Sequence, residues 1–287
     1  MSASKNLAAS VQARLLNLAK AEGRDYGQVL TKFALERLLY RLGQSSHAEN
    51  FLLKGALLFD LWFDVPLRPT RDIDLLGFGL AELPHVKGVF DDLCKISVED
   101  GMVFLADSIK AEEIRKEANY AGIRVSMVAL LGNARAAIQV DIGYGDAVTP
   151  APEAATYPVL LKDFPAPQLR VYPRYTVVAE KVETIATLGI ANSRMKDYFD
   201  LWVLRQQGEF DTEVLRSAIA ATFARRERPL PNQVPVGLSD AFSADLQKQR
   251  QWQAFLKKNQ LEIIELAVVV QALREWLNPL LMDIKNE

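Results

Sequence analysis

Hydrophobic residues in the first fifty positions recur every three to four places. Leu7, Val11, Leu15 and Leu18 form one such stripe, and Gly23 offers a stop. Asp25 can cap a second helix, which carries Leu30, Phe33, Ala34 and Leu38 on one face and closes at Gly43. The apolar run FLLKGALLFDLWF (51–63) predicts a third helix, leading into a sheet. From Asp72 the period shortens to two. Residues 72–78 open with alternating polar and apolar side chains between Pro69 and Gly79, which predicts a strand. A helix is predicted over 84–97. The runs MVFLADSIK, AGIRVSMVALLG and AAIQVDIGYGD then predict three strands, spaced closely enough for an antiparallel or mixed meander.

The stretch TPAPEAATYPVLLKDFPAPQLRVYP, with Pro150, Pro152, Pro158, Pro165, Pro167 and Pro173, is the strongest candidate boundary. Beyond it, 176–190, 196–207 and 212–226 predict helices, and the chain is helical again after a break at 228–235. The predicted class is α+β: a mixed sheet with flanking helices, followed by an all-helical C-terminal half. The predicted organisation is 1–150 for the helical lead-in and sheet, 151–175 for the Pro-rich connection, and 176–287 for the helical domain. There is no internal repeat or low-complexity tract.

Composition narrows the chemistry. A chain of 287 residues with 49% hydrophobic and 24% charged residues has an ordinary globular make-up. A net charge of −2 argues against a protein coated by nucleic acid, although a local basic patch is compatible with it. Cys94 is the only cysteine, so no intrachain disulfide and no Cys-rich metal site can form. With only His47 and His85, a multi-histidine zinc site is excluded too. Any metal must be held mainly by oxygen, which points to Mg²⁺ or Mn²⁺. The N-terminal segment is interrupted by Lys5, Gln12 and Arg14 and lacks the apolar core of a signal peptide; with the lone cysteine, this leads to a cytoplasmic expectation.

The most informative stretch is Arg68-Pro-Thr-Arg-Asp-Ile-Asp-Leu75. On a strand, Asp72 and Asp74 share one face while Ile73 and Leu75 share the other. Two carboxylates about 7 Å apart repel unless a cation lies between them, and such a pair can ligate a hard cation. In Ile138-Gln-Val-Asp-Ile142, Asp141 likewise points away from its strand's apolar face. If the two strands are neighbours, Asp72, Asp74 and Asp141 can meet as a two-metal phosphoryl-transfer site. A D-x-D on a strand is otherwise most often a solvated outer face.

These residues resemble a known family. Lys54-Gly55-Ala56-Leu57 and Arg71-Asp72-Ile73-Asp74-Leu75 are similar to the first motif of the AbiEii/AbiGii nucleotidyltransferase toxins, which belong to the DNA polymerase β-like superfamily. Glu180-Lys181, then Arg194 and Lys196-Asp197-Tyr198-Phe199-Asp200-Leu201, resemble that family's E-K and K/R-D-x-x-D-L motifs. The resemblance implies two-metal transfer of a nucleotide from an NTP, in a toxin–antitoxin or abortive-infection system. It implies Asp72, Asp74 and Asp141 as metal ligands and catalytic acids, Lys181 on the nucleotide's phosphates, and Asp200 as the second-half acid. Lys54, Gly55, Arg71, Arg194, Lys196 and Arg226 complete the expected nucleotide-binding set. Related transferases often have Gly-Ser where this chain has Gly55-Ala56, so one phosphate-holding hydroxyl is missing.

Apart from the resemblance, Lys181 falls within an apolar stripe with Val177, Ile185 and Leu188, and needs either an anionic ligand or a carboxylate such as Asp200. Asp200 could equally pair with Lys196 one turn away. Arg225, Arg226 and Arg228 could serve the helix dipole, or could contact phosphate or RNA. By analogy with the family, the acceptor is RNA, particularly the 3′ end of tRNA, the outcome is growth inhibition, and the partner is a cognate antitoxin from the same operon. A protein hydroxyl as acceptor and a non-catalytic nucleotide or partner binder are the alternatives.

Overall fold

The computed structural model describes residues 2–63, 70–116 and 120–286, which divide into two compact units. One comprises Met1–Gly145 with Glu153–Val171, and the other Asp146–Pro152 with Tyr172–Glu287. The predicted α+β class is observed. The first unit holds the sheet, and the second is mostly helical.

In the first unit, α1 (Ser2–Ala21) and α2 (Tyr26–Gln44) come first. Asp25 caps α2 as its sequence position predicted, its side chain accepting from the Gln28 N–H. Then follow β1 (Phe51–Lys54), the short α3 (Phe59–Trp62), β2 (Asp72–Gly77) and α4 (Leu83–Lys95). The meander is β3 (Met102–Lys116), β4 (Tyr120–Leu131) and β5 (Ala134–Tyr144), and two short strands, β6 (Glu153–Thr156) and β7 (Gln168–Val171), complete the sheet. Among the described residues the order is β3-β4-β5-β2-β1-β7-β6. β2 runs parallel to β5 and β1 parallel to β7, while the other neighbours are antiparallel.

One sequence expectation is corrected here. Phe51–Lys54 is a strand, and the helix expected over the whole run begins after it, as a 3-10 turn at Gly55–Leu58 that leads into α3. A buried apolar run carries no period that separates helix from strand, and this one pairs along its whole length with β2. Phe51, Leu52 and Leu53 are all buried, each worth about 1.5–3 kcal/mol. Within the proline-rich stretch, β6 and β7 add to the sheet beside β1. Their prolines lie outside the paired residues, where a missing N–H costs nothing.

The alternation in β2, β4 and β5 sorts the two faces. Ile73, Leu75, Ile123, Val125, Val140 and Ile142 are buried on one side, and α1, α2 and α4 pack against this sheet. The polar positions occupy the other side.

The second unit contains α5 (Arg174–Leu188), α6 (Met195–Gln207), α7 (Thr212–Arg225), α8 (Asp240–Ala244), α9 (Leu246–Asn259) and α10 (Leu266–Asn286). Its core includes Val178, Ile185, Leu201, Ile219, Phe242, Trp252 and Leu273. No helix among the described residues is long and apolar enough to cross a membrane.

Candidate active site

The strand register lays the expected residues in rows across the polar face of the sheet. Lys54 on β1 pairs with Asp74 on β2, Asp74 with Asp141 on β5, Asp141 with Arg124 on β4, and Arg124 with Glu112 on β3. Directly paired residues point to the same side, so one row reads Lys54, Asp74, Asp141, Arg124, Glu112. One step along, Asp72 pairs with Gln139, and Gln139 with Ser126. The sheet therefore brings Asp72, Asp74 and Asp141 onto neighbouring strands with their side chains on one face.

Local chemistry then separates the three acids. Asp72 is partly exposed, and its Oδ1 accepts a 2.7 Å hydrogen bond from the Thr70 hydroxyl. Asp74 packs against the backbone of Gly55. A Cβ built at Gly55 would collide with the Asp74 carboxyl, and Gly55 has φ +76, so this position requires glycine on two counts. Asp141 is only 5% exposed, and both its oxygens are taken. Arg124 donates from Nε to Oδ1 at 2.8 Å and from Nη2 to Oδ2 at 2.9 Å, and Gln139 adds a 3.4 Å bond to Oδ1.

The donor set decides which metal site is possible. Among the described residues, no three histidine, cysteine or acidic side chains stand together in a way that could hold a metal ion. Of the three acids expected from the sequence, Asp72 and Asp74 stand as a pair on β2, and Asp141 on the neighbouring strand is tied to Arg124. The pair still fits Mg²⁺, which is commonly held by one or two carboxylates and completed by substrate phosphates and water. Sequence reasoning missed Arg124. The signal was present: Arg124 is the one charged side chain in the run Gly122–Leu131, and it falls on the polar phase of the alternation.

In the helical unit, Lys181 on α5 donates to Asp197 Oδ1 at 2.7 Å and to Asp200 Oδ2 at 2.9 Å, both on α6. Arg194 Nε also binds Asp197, at 2.6 Å. Burial pushes the Asp197 carboxyl up, but the charges of Lys181 and Arg194 and the hydrogen bonds from both outweigh it and hold the group well below the usual carboxylate range. Burial lowers the Lys181 pKa; Asp197 and Asp200 more than offset it and raise it. Of the two partners open to Lys181 in the sequence, the carboxylates are in place. Asp200 is thus engaged across the two helices, and Lys196 is exposed one turn before it.

Arg226, expected on a nucleotide phosphate, sits instead in an acidic clasp. It reaches Glu183 at 2.6 Å, Asp146 at 3.4 Å and Glu180 at 3.8 Å. Burial lowers its pKa, but Glu180, Asp146 and Glu183 hold the proton more firmly than usual. Arg71 is exposed just ahead of β2, and Arg68 lies outside the described residues.

No curated protein matches the chain. Among solved structures, the fold is similar to two crystal structures from Helicobacter pylori. One is of a protein described as a nucleotidyltransferase (14% identity, TM-score 0.47, covering 90% of this chain and 96% of that one). The other is JHP933 (15% identity, TM-score 0.45, covering 90% and 97%). The family model described as nucleotidyl transferase AbiEii toxin, Type IV TA system, matches residues 37–278, most of the chain. The chain therefore belongs to the AbiEii nucleotidyl transferase toxins of type IV toxin–antitoxin systems, enzymes that use an NTP and have an antitoxin partner.

Proposed function

We propose that this nucleotidyltransferase moves the NMP of an NTP onto an RNA hydroxyl, the 3′ end of tRNA being the acceptor, and that growth inhibition follows from the blocked end. The observation that carries this is the Asp72–Asp74 pair on the polar face of the sheet, backed by a glycine that lets Asp74 approach. Asp72 and Asp74 would hold Mg²⁺ or Mn²⁺ together with the phosphates. That ion, when bound, supplies charge neutralisation and a Lewis acid. The acceptor oxygen forms a bond to the α-phosphorus, the bond to the β-phosphate oxygen breaks, pyrophosphate leaves, and the acceptor proton passes to solvent.

Lys54 lies in register with Asp74, where its charge would favour an incoming triphosphate, and the Gly55 backbone allows close approach. Lys181 and Asp200 are assigned to the reaction on the family motif alone. In their own unit, a phosphate would have to compete with two carboxylates for the Lys181 ammonium.

The test is incubation with each labelled NTP, Mg²⁺ and total tRNA, comparing wild type with Asp72→Ala. Label should enter RNA with wild type and fall by at least about a hundredfold in the variant. The thermal midpoint should stay level or rise, since a like charge beside Asp74 is removed. A fully active Asp72→Ala enzyme would take this pair out of the chemistry, and label on protein in place of RNA would redirect the acceptor to a side-chain hydroxyl.

A further inference from the structure

Arg124 has no role in the reaction outlined so far, yet it occupies the strand beside the third acid and shares the face of Asp74. We infer that Arg124 is a binding residue for the nucleotide's triphosphate, aimed by Asp141, so that a fixed guanidinium stands where a third acid would have recruited a second cation. The inference rests on the reading of Asp72 and Asp74 given above.

The geometry has three parts. First, Asp141 grips Arg124 side-on, through Nε and Nη2. That leaves Nη1, which makes no hydrogen bond within the described residues, at the outer edge of a guanidinium whose plane is already set. Second, the two partners differ in exposure. The Asp141 side chain is 7% exposed and that of Arg124 34%, so the carboxylate is sealed while the cation meets solvent. An arginine held from behind and open in front loses little freedom on binding a phosphate, and its planar fork matches phosphate oxygens. Third, Arg124 lies in the field of the acidic face. The hydrogen bond it donates to Asp141 is the strongest influence on its pKa, burial opposes it, and the charges of Asp141, Glu112 and Asp72 join in raising it. Its charge is therefore permanent and within reach of Asp72.

Charge balance gives the reason. An NTP brings about four negative charges to a site with two carboxylates, more than a single divalent ion neutralises. Asp141 cannot help to recruit a second ion while its oxygens are engaged. A cation built into β4 meets the same need from the protein side.

The probe is inorganic triphosphate, which has no base to recognise, titrated calorimetrically with MnCl₂ present, alongside electron paramagnetic resonance counting of bound Mn²⁺. Arg124→Gln alone strands a buried carboxylate, so the decisive protein is the Arg124→Gln, Asp141→Asn double variant, whose pair is neutral and can still hydrogen-bond. It should melt like wild type and bind triphosphate at least about tenfold more weakly, as expected for losing one charge-assisted contact. Arg124→Lys should keep part of the affinity. Asp141→Asn should keep the wild-type number of Mn²⁺ ions, whereas Asp72→Asn should lose one. A double variant that binds triphosphate as well as wild type would make the Arg124–Asp141 pair purely structural. Loss of a Mn²⁺ ion from Asp141→Asn would return Asp141 to the metal. Either result leaves the Asp72–Asp74 reading standing if Asp72→Asn still loses its ion. Wild type that takes up no triphosphate would sink both.

Discussion

A single missing carbon at Gly55 governs where Asp74 can stand. The backbone there is left-handed at φ +76, and the space a Cβ would need is filled by the Asp74 carboxyl. Gly55→Ala is expected to fold with a loss of about 1–2 kcal/mol from the strained backbone, and to push Asp74 off its position. A displacement of about 1 Å at a reacting centre costs on the order of a hundredfold, so transfer should fall by that order in the labelled-NTP assay. Unchanged transfer would show that Asp74 tolerates displacement. At Ala56, next to it, there is no side-chain hydroxyl to hold a phosphate, but the backbone approach that Gly55 permits is kept.

Between elements, charge pairs decide how helices are held. α5 and α6 are joined by Lys181, Asp197 and Asp200, a buried trio in which one ammonium balances two carboxylates with help from Arg194. Lys181→Met would leave Asp200 without that cation and Asp197 with Arg194 only. A loss of about 3 kcal/mol is expected, a fall of several degrees in thermal midpoint; an unchanged midpoint would mean the trio is not held by its charge. On α2, Glu36 behaves differently. Burial pushes its carboxyl up to about 7, despite the opposing pull of Arg37 and the hydrogen bond from the Leu160 N–H. Between about 4.5 and about 7 the folded chain therefore keeps a proton that the unfolded chain has released, and stability falls as pH rises through that window. Glu36→Gln carries no such titration. Its stability relative to wild type should improve from pH 5 to pH 8 by on the order of 2–3 kcal/mol, read from urea unfolding at the two pH values. Parallel curves for the two proteins would contradict the assignment.

For the whole molecule, the Mg²⁺ or Mn²⁺ proposed at Asp72 and Asp74 would serve the chemistry rather than the folding. The described residues contain no cluster of three candidate ligands that could hold a structural ion. Chelation with EDTA is expected to stop nucleotide transfer while leaving the thermal midpoint of the nucleotide-free protein in place, and added Mg²⁺ or Mn²⁺ should restore activity. A large fall in midpoint on chelation would reveal a structural ion. Calorimetry of the same samples also reports how the sheet unit and the helical unit melt.

Much of this was written locally along the chain. Period-two alternation around Asp72 and Asp141 placed both acids on the polar face of strands, because strand side chains alternate whatever the neighbours are. Asp25 announced the start of α2, since a cap acts within one turn. The motif order from Gly55 to Leu201 carried the family, and the helices beyond residue 174 were visible in their spacing. What needed the fold was every choice between partners. Phe51–Lys54 became a strand only because β2 and β7 were there to pair with it. Asp141 was drawn to Arg124, Lys181 to Asp197 and Asp200, and Arg226 to Glu183, across separations of 16 to 43 residues. A charge in a sequence states what it needs, and only packing determines which opposite charge arrives first.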